Sequence, residues 1–252
     1  ATYQIAFAAN EDALFDEYSF GSVTWADRGG HQARIPLVIR PVAIAAPAEV
    51  TGTGTSGSLT RTVQLGYDGP FAVAAEGLIP AHTETRTVVD DPTNDFDTDA
   101  PDSNQGIQVH SFTVRAGTTL ARFQLFDEFT DGEDDLDIYL YHEGTLVGTS
   151  AGATAAERID LGKPDAGAYK LYVHGWQTDG TNAIYTLFDW LVPSTAAGNM
   201  TVTSSTSSAT VGGTANVTAS WSGLTAGTKY LGRIRYSSGA TEIGSTIVSI
   251  NP

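Results

Sequence analysis

Apolar and polar residues alternate along this chain in short runs. Each run is bounded by Gly, Pro, Asn or Asp. In residues 169–173, Tyr169, Leu171 and Val173 alternate with Lys170 and Tyr172. Residues 211–221 contain a second such stretch. A period of two puts successive side chains on opposite faces of a strand. The spacing predicts strands over residues 2–8, 21–26, 34–40, 59–65, 108–114, 121–126, 136–141, 169–173, 183–187, 215–221, 230–236 and 245–250. Many short strands at regular spacing imply an all-β chain of tandem β-sandwich modules, with fibronectin- or Ig-like strands and a jelly roll. No convincing amphipathic helix interrupts them. Residues 11–18 could form a helical turn or two, or equally a loop.

Composition divides the chain. Residues 36–47 are punctuated by proline, residues 90–102 are acidic and nearly free of apolar side chains, and residues 193–198 are small and polar. Four segments follow, at 1–41, 42–89, 90–193 and 194–252. The second is strand-rich but short. It is expected to pair with the last, so that the jelly roll is inserted into an Ig-like sandwich and Val63 and Val217 share one core.

The charge narrows the function. The 252 residues carry a formal net charge of −16, and only three lysines are present. Binding phosphate backbones needs a basic face, so a nucleic-acid partner is not expected. No apolar run is long enough to span a bilayer. The absence of cysteine excludes disulfides and thiolate chemistry. The chain opens on Ala1 without a basic n-region, an apolar h-region or an initiator methionine, as either a processed fragment or an artificially shortened chain would.

A serine-protease centre needs a nucleophile, a base, an orienting carboxylate and an oxyanion hole. No histidine here stands in a spacing that suggests one. His-Glu-x-x-His is absent, and no Gly-rich loop leads from a strand into a helix.

Several stretches nevertheless resemble one parent type. ATYQIAF (1–7) and FGSVTWADRGGHQARIPLV (20–38) are similar to the closing strands of the fibronectin type III-like domain of large subtilases. Phe20, Gly21, Ser22, Trp25, Asp27, His31, Arg34 and Pro36 fall on that pattern. Arg28-Gly29-Gly30 lengthens the turn, and Ile35 replaces the usual Ser. GEDDLDIYLY (132–141) resembles the Asp-Leu-Asp strand of bacterial pre-peptidase C-terminal domains. Residues 166–176 and 184–187 are similar to later strands of the same domain, and residues 221–232 to the last small sandwich of secreted subtilases. The resemblance implies a non-catalytic C-terminal region of a secreted, extracellular subtilisin-like serine endopeptidase. Its partners would be the upstream catalytic domain or an N-terminal fragment, and a bulky protein or polysaccharide substrate. The rivals are a free-standing calcium-dependent module for carbohydrate or matrix, and a structural spacer.

The chemistry-bearing residues are acidic. Asp90, Asp91, Asp95 and Asp97 form one group, and Asp131, Asp134, Asp135 and Asp137 a second. Crowded carboxylates repel, and Ca²⁺ takes six to eight hard oxygen ligands. The spacing is not that of an EF-hand. Calcium and solvated acidic loops both remain open readings. The resemblance favours calcium, because an acidic linker and the loop before the Asp-Leu-Asp strand act jointly in calcium-binding relatives. Trp176, Tyr139 and Tyr172 are candidates for a stacking surface, with burial in the core as the alternative. Trp176, at a strand end, is the one expected to be exposed.

Overall fold

The computed structural model describes residues 4, 5, 7 and 14–252. The expected strand at residues 2–8 and the start of the 11–18 segment lie largely outside the described residues. The protein is nearly all β, with two single 3₁₀ turns at Pro101–Ser103 and Asp127–Phe129.

A hairpin comes first, β1 (Ser19–Ala26) with β2 (Gln32–Ile39). Phe20 and Val38 face each other across it, and both are exposed. This hairpin joins neither of the two sandwiches that follow.

The first sandwich opens with β3 (Ile44–Ala45), β4 (Glu49–Thr53), β5 (Gly57–Leu65), β6 (Gly69–Pro70) and β7 (Ala72–Pro80). The chain then leaves it for a second body: β8 (His82–Val89), β9 (Ile107–Val114), β10 (Thr118–Gln124), β11 (Asp135–His142), β12 (Thr145–Ser150), β13 (Arg158–Gly162), β14 (Gly167–Gln177) and β15 (Asn182–Pro193). It returns through β16 (Met200–Ser204), β17 (Ser208–Ala209), β18 (Thr214–Trp221), β19 (Tyr230–Ser238) and β20 (Thr241–Asn251).

In the second body β8 pairs with β15, β9 with β14, β10 with β13 and β11 with β12. That is one long hairpin rolled up: the first strand meets the last, and pairing proceeds inwards. The result is two four-stranded sheets, β13-β10-β15-β8 and β12-β11-β14-β9, the topology of a jelly roll. Strand alternation fills the space between them. Leu136, Ile138 and Leu140 of β11 are fully buried there with Leu171, Phe123 and Tyr185.

The outer sandwich has sheets β16-β18-β5-β3 and β4-β20-β19-β7. Val63 lies opposite Ala215, and Val63 and Val217 sit in one core with Trp221 and Tyr236. The two strand sets could not bury their apolar faces separately, since a sheet of two or three short strands is marginal alone. One segment differs from the expected pairing of 42–89. Residues 82–89 form β8 and belong to the jelly roll. Val88 turns into that core, while His82 meets Asp189 across the sheet.

The two bodies meet along an apolar seam of Leu120, Phe188, Trp190, Val192 and Leu231. Beside it Arg122 of β10 is buried. Its guanidinium donates to both oxygens of Glu49 on β4, at 2.8 and 2.9 Å, and to Asp160 on β13 at 2.6 and 2.9 Å. A planar fork between two carboxylates fixes direction as well as distance.

Candidate functional site

The two acidic groups lie on the jelly roll, beside β11 and β14. The first is the 90–104 loop. Asp91 follows β8 and is buried. Its N–H donates to the Gly175 carbonyl at 2.9 Å. The chain passes so close here that a Cβ on Gly106 (φ +56°) would lie 2.7 Å from the Asp91 Cβ. The Asp91 carboxylate accepts the Thr93 N–H and hydroxyl at 2.9 and 2.7 Å, the Asp95 N–H at 3.4 Å and His174 Nε2 at 2.9 Å. Burial pushes its pKa up, but these donors outweigh burial and hold it at about 2.

His174 is fully buried. Its other nitrogen lies 3.9 Å from Asp137. Burial would lower its pKa, and the Asp137 and Asp91 carboxylates more than reverse that, leaving it raised. The rest of the loop is stapled in the same way. Asp90 accepts the Thr178 N–H, Asp97 accepts the Asp99 N–H, and Asp102 accepts the Tyr172 hydroxyl at 2.6 Å. Asp137 is buried and accepts the Tyr139 hydroxyl at 3.3 Å. Asp95 is exposed.

The second group, in the loop before β11, is built differently. Asp131 is tied down by the Ile184 N–H at 2.6 Å. Asp134 is only 5% exposed. Its Oδ1 accepts the Asp179 N–H at 3.2 Å, while its Oδ2 is buried with no partner. Oδ1 of Asp135 is likewise buried and unpartnered. Burial raises both pKa values, helped by Asp179 and Asp131 around Asp134 and by Asp137 and Glu157 around Asp135. The Asp179 carboxylate packs over Gly132, where any side chain would collide with it.

Asp134 and Asp135 both line a cleft of 720 Å³, together with Asp127, Glu128 and Glu133. Gln177 and Thr154 also line it. Asp179 had no signal in the sequence. It reaches this place because Gln177, at the end of β14, pairs with Asp135 across the sheet.

The calcium fit can be tested residue by residue. A calcium ion needs several oxygens directed at one centre. Asp90, Asp91, Asp97 and Asp137 spend oxygens on protein donors. Among the described residues no three acidic or histidine side chains gather as a metal cage would require. Among the eight aspartates the buried oxygens without a donor are those of Asp134 and Asp135.

Two of the three aromatic candidates are buried. Tyr139 and Tyr172 are buried with Phe96 and Tyr141 under the 90–104 loop. The Phe96 ring lies on Tyr139 at 3.8 Å between centroids. Trp176 is half-buried, with its ring edge-on to His174.

The histidines are also engaged. His31 pairs with Asp27, His82 with Asp189, and His110 with Glu84 and Tyr185. His142 stacks on Tyr169, and His174 bonds Asp91. Among the described residues none is hydrogen-bonded to a serine or threonine hydroxyl.

No family model matches the chain, and no curated protein matches it. Among solved structures it is similar to dimeric latent PorU from Porphyromonas gingivalis, at 12% identity. The match covers 60% of this chain and 20% of that one, with a TM-score of 0.22.

Proposed function

We propose that this chain is a non-catalytic accessory region of a secreted subtilisin-like serine endopeptidase, stabilising the enzyme or presenting bulky substrate to it. The supporting observation is the state of the histidines. Among the described residues no histidine is hydrogen-bonded to a serine or threonine hydroxyl, the contact a base for a serine nucleophile would make. The seam between the two bodies adds to this. The Arg122 fork and the apolar strip favour a stiff two-sandwich unit, which suits a strut as well as a stabiliser. The reading does not depend on calcium. A sugar-stacking module is less favoured, because Tyr139 and Tyr172 are covered.

Two measurements test it. A fluorophosphonate active-site reagent should leave the purified chain unlabelled. Labelling, together with casein hydrolysis, would end the non-catalytic reading. The parent protease with this region deleted should lose thermal half-life or affinity for insoluble protein substrate. If both stayed unchanged, the accessory role would be wrong.

A further inference from the structure

We propose that His110 is an acid-sensitive clasp, which ties β8 to β9 while its imidazole is neutral and loosens β8 when the imidazole takes up a proton. The inference is independent of the protease reading and rests on the place where two sheet edges meet.

β8 and β9 are edge strands of opposite sheets of the jelly roll. Among the described residues no backbone ladder joins them, so side chains close that side. Apolar contact holds β8 weakly, since Val88 is its one buried apolar residue. The link across the edge is polar instead. Glu84 Oε2 of β8 meets Nδ1 of His110 on β9 at 2.8 Å, and Arg86 donates to the Val109 carbonyl at 2.7 Å. β8 is also the strand by which the chain enters the jelly roll from the outer sandwich.

His110 is 1% exposed, and both of its ring nitrogens are committed. The Glu84 carboxylate only accepts, so Nδ1 carries the proton. Nε2 then accepts from the Tyr185 hydroxyl at 2.7 Å. Tyr185 is fully buried, and its hydroxyl has no other hydrogen bond among the described residues. A second proton, on Nε2, would point at the oxygen of that hydroxyl. The Tyr185 proton would turn away with no acceptor, which is costly in a buried site.

The surrounding charges do not favour the cation. Arg86 already donates to Glu84 Oε1 at 2.8 Å, so an imidazolium would share that carboxylate with a guanidinium. β14 sets the apolar Leu171 opposite His110. Further along β8 and β15, His82 meets Asp189 at 2.7 Å, and burial pushes the Asp189 carboxyl up. Burial, with Arg86 adding to it and Glu84 opposing it, holds the His110 pKa below its ordinary 6.5. A base depressed in this way stabilises the closed state when neutral. Its contribution is full above 6.5 and is lost as pH falls through the folded value, by up to about tenfold in the closing equilibrium per pH unit. His174 is raised, so its contribution is full below 6.5 and cannot produce a loss on acidification.

The test is NMR titration and amide exchange on the whole chain from about pH 7.5 to about pH 5. The expected result is an Nδ1–H tautomer for His110 and a titration midpoint below the ordinary value. Protection factors in β8 should fall about tenfold or more over that range, and those in β14 less than about threefold. Tyr185→Phe removes the hydroxyl that resists the second proton. It should raise the His110 midpoint and hold the acid loss in β8 below about threefold. His82→Gln, on the same strand, should leave the loss as large as in the wild type. The wild-type measurements decide the matter if Tyr185→Phe folds poorly. An Nε2–H tautomer, a midpoint at or above the ordinary value, or β8 protection that falls no further than that of β14 would overturn the proposal. A full acid loss retained in folded Tyr185→Phe, or abolished in His82→Gln, would do the same.

Discussion

The two acidic loops of the jelly roll are alike in composition and opposite in physical state. In the 90–104 loop most of the carboxylates are spent: Asp91 takes four donors, and Asp90, Asp97 and Asp102 take their own. Before β11, Asp134 and Asp135 keep buried oxygens with no donor. The pKa directions follow. Asp91 is held at about 2, whereas Asp134 and Asp135 are pushed up. A run of aspartates is thus not one chemical feature. The same residue type closes a loop where enough N–H and hydroxyl donors turn towards it, and charges a cleft where too few do.

Substitutions should break this comparison with opposite signs. The largest effect belongs to Asp91→Ala, which strands His174 beside Asp137 and frees the loop that carries Phe96. A loss of about 3–5 kcal/mol is expected from breaking a buried pair, read by urea unfolding. A loss below about 1 kcal/mol would show that the loop is not anchored there.

Asp134→Asn should do the reverse at neutral pH. It removes an unpaired buried charge while keeping an acceptor for the Asp179 N–H, and a gain of about 0.5–1 kcal/mol is expected. A destabilised variant would mean that Oδ2 already has a partner in solution.

The pH dependence sharpens the contrast. The raised Asp134 favours folding when protonated, so its contribution is full below the ordinary value of 3.8 and is lost as pH rises through its folded value. The advantage of Asp134→Asn should therefore shrink on acidification. Asp91 is depressed, so its contribution is present above 3.8 and is lost as pH falls towards about 2. The deficit of Asp91→Ala should shrink only at that lower pH. Melting curves across the acid range, with equal slopes for both variants, would erase the distinction.

The smallest effect is Tyr139→Phe. It deletes one long hydrogen bond to Asp137 and keeps the ring on Phe96, at a cost of about 0.5 kcal/mol.

Strands with clean alternation were legible one by one. In β11 the buried Leu136, Ile138 and Leu140 mark the core face, and their neighbours Asp137, Tyr139 and Tyr141 pack beneath the 90–104 loop. β7 and β8 were harder to see. β7 mixes Ala, Glu and Gly, and its register against β19 shifts between Gly77 and Ile79. β8 is mostly polar, with Val88 as its buried apolar residue. Its membership in the jelly roll comes from eight paired positions with β15, a partner 93 residues on at Asn182–Val89. Tyr139 and Tyr172 illustrate the converse. Alternation put them on the face away from the jelly-roll core, and the loop that covers them is polar in sequence apart from Phe96.

The sequence by itself determined the all-β class, the strands with a strong period of two, the acidic surface and the positions of the two aspartate groups. These are local properties, set by side-chain alternation and by the charges each segment carries. The tertiary structure alone decided which strands pair across the inserted body, that Asp179 comes to lie beside Asp134, and which carboxylates find donors. Hydrogen-bond satisfaction depends on where distant backbone N–H groups arrive, and that is a property of the packed chain.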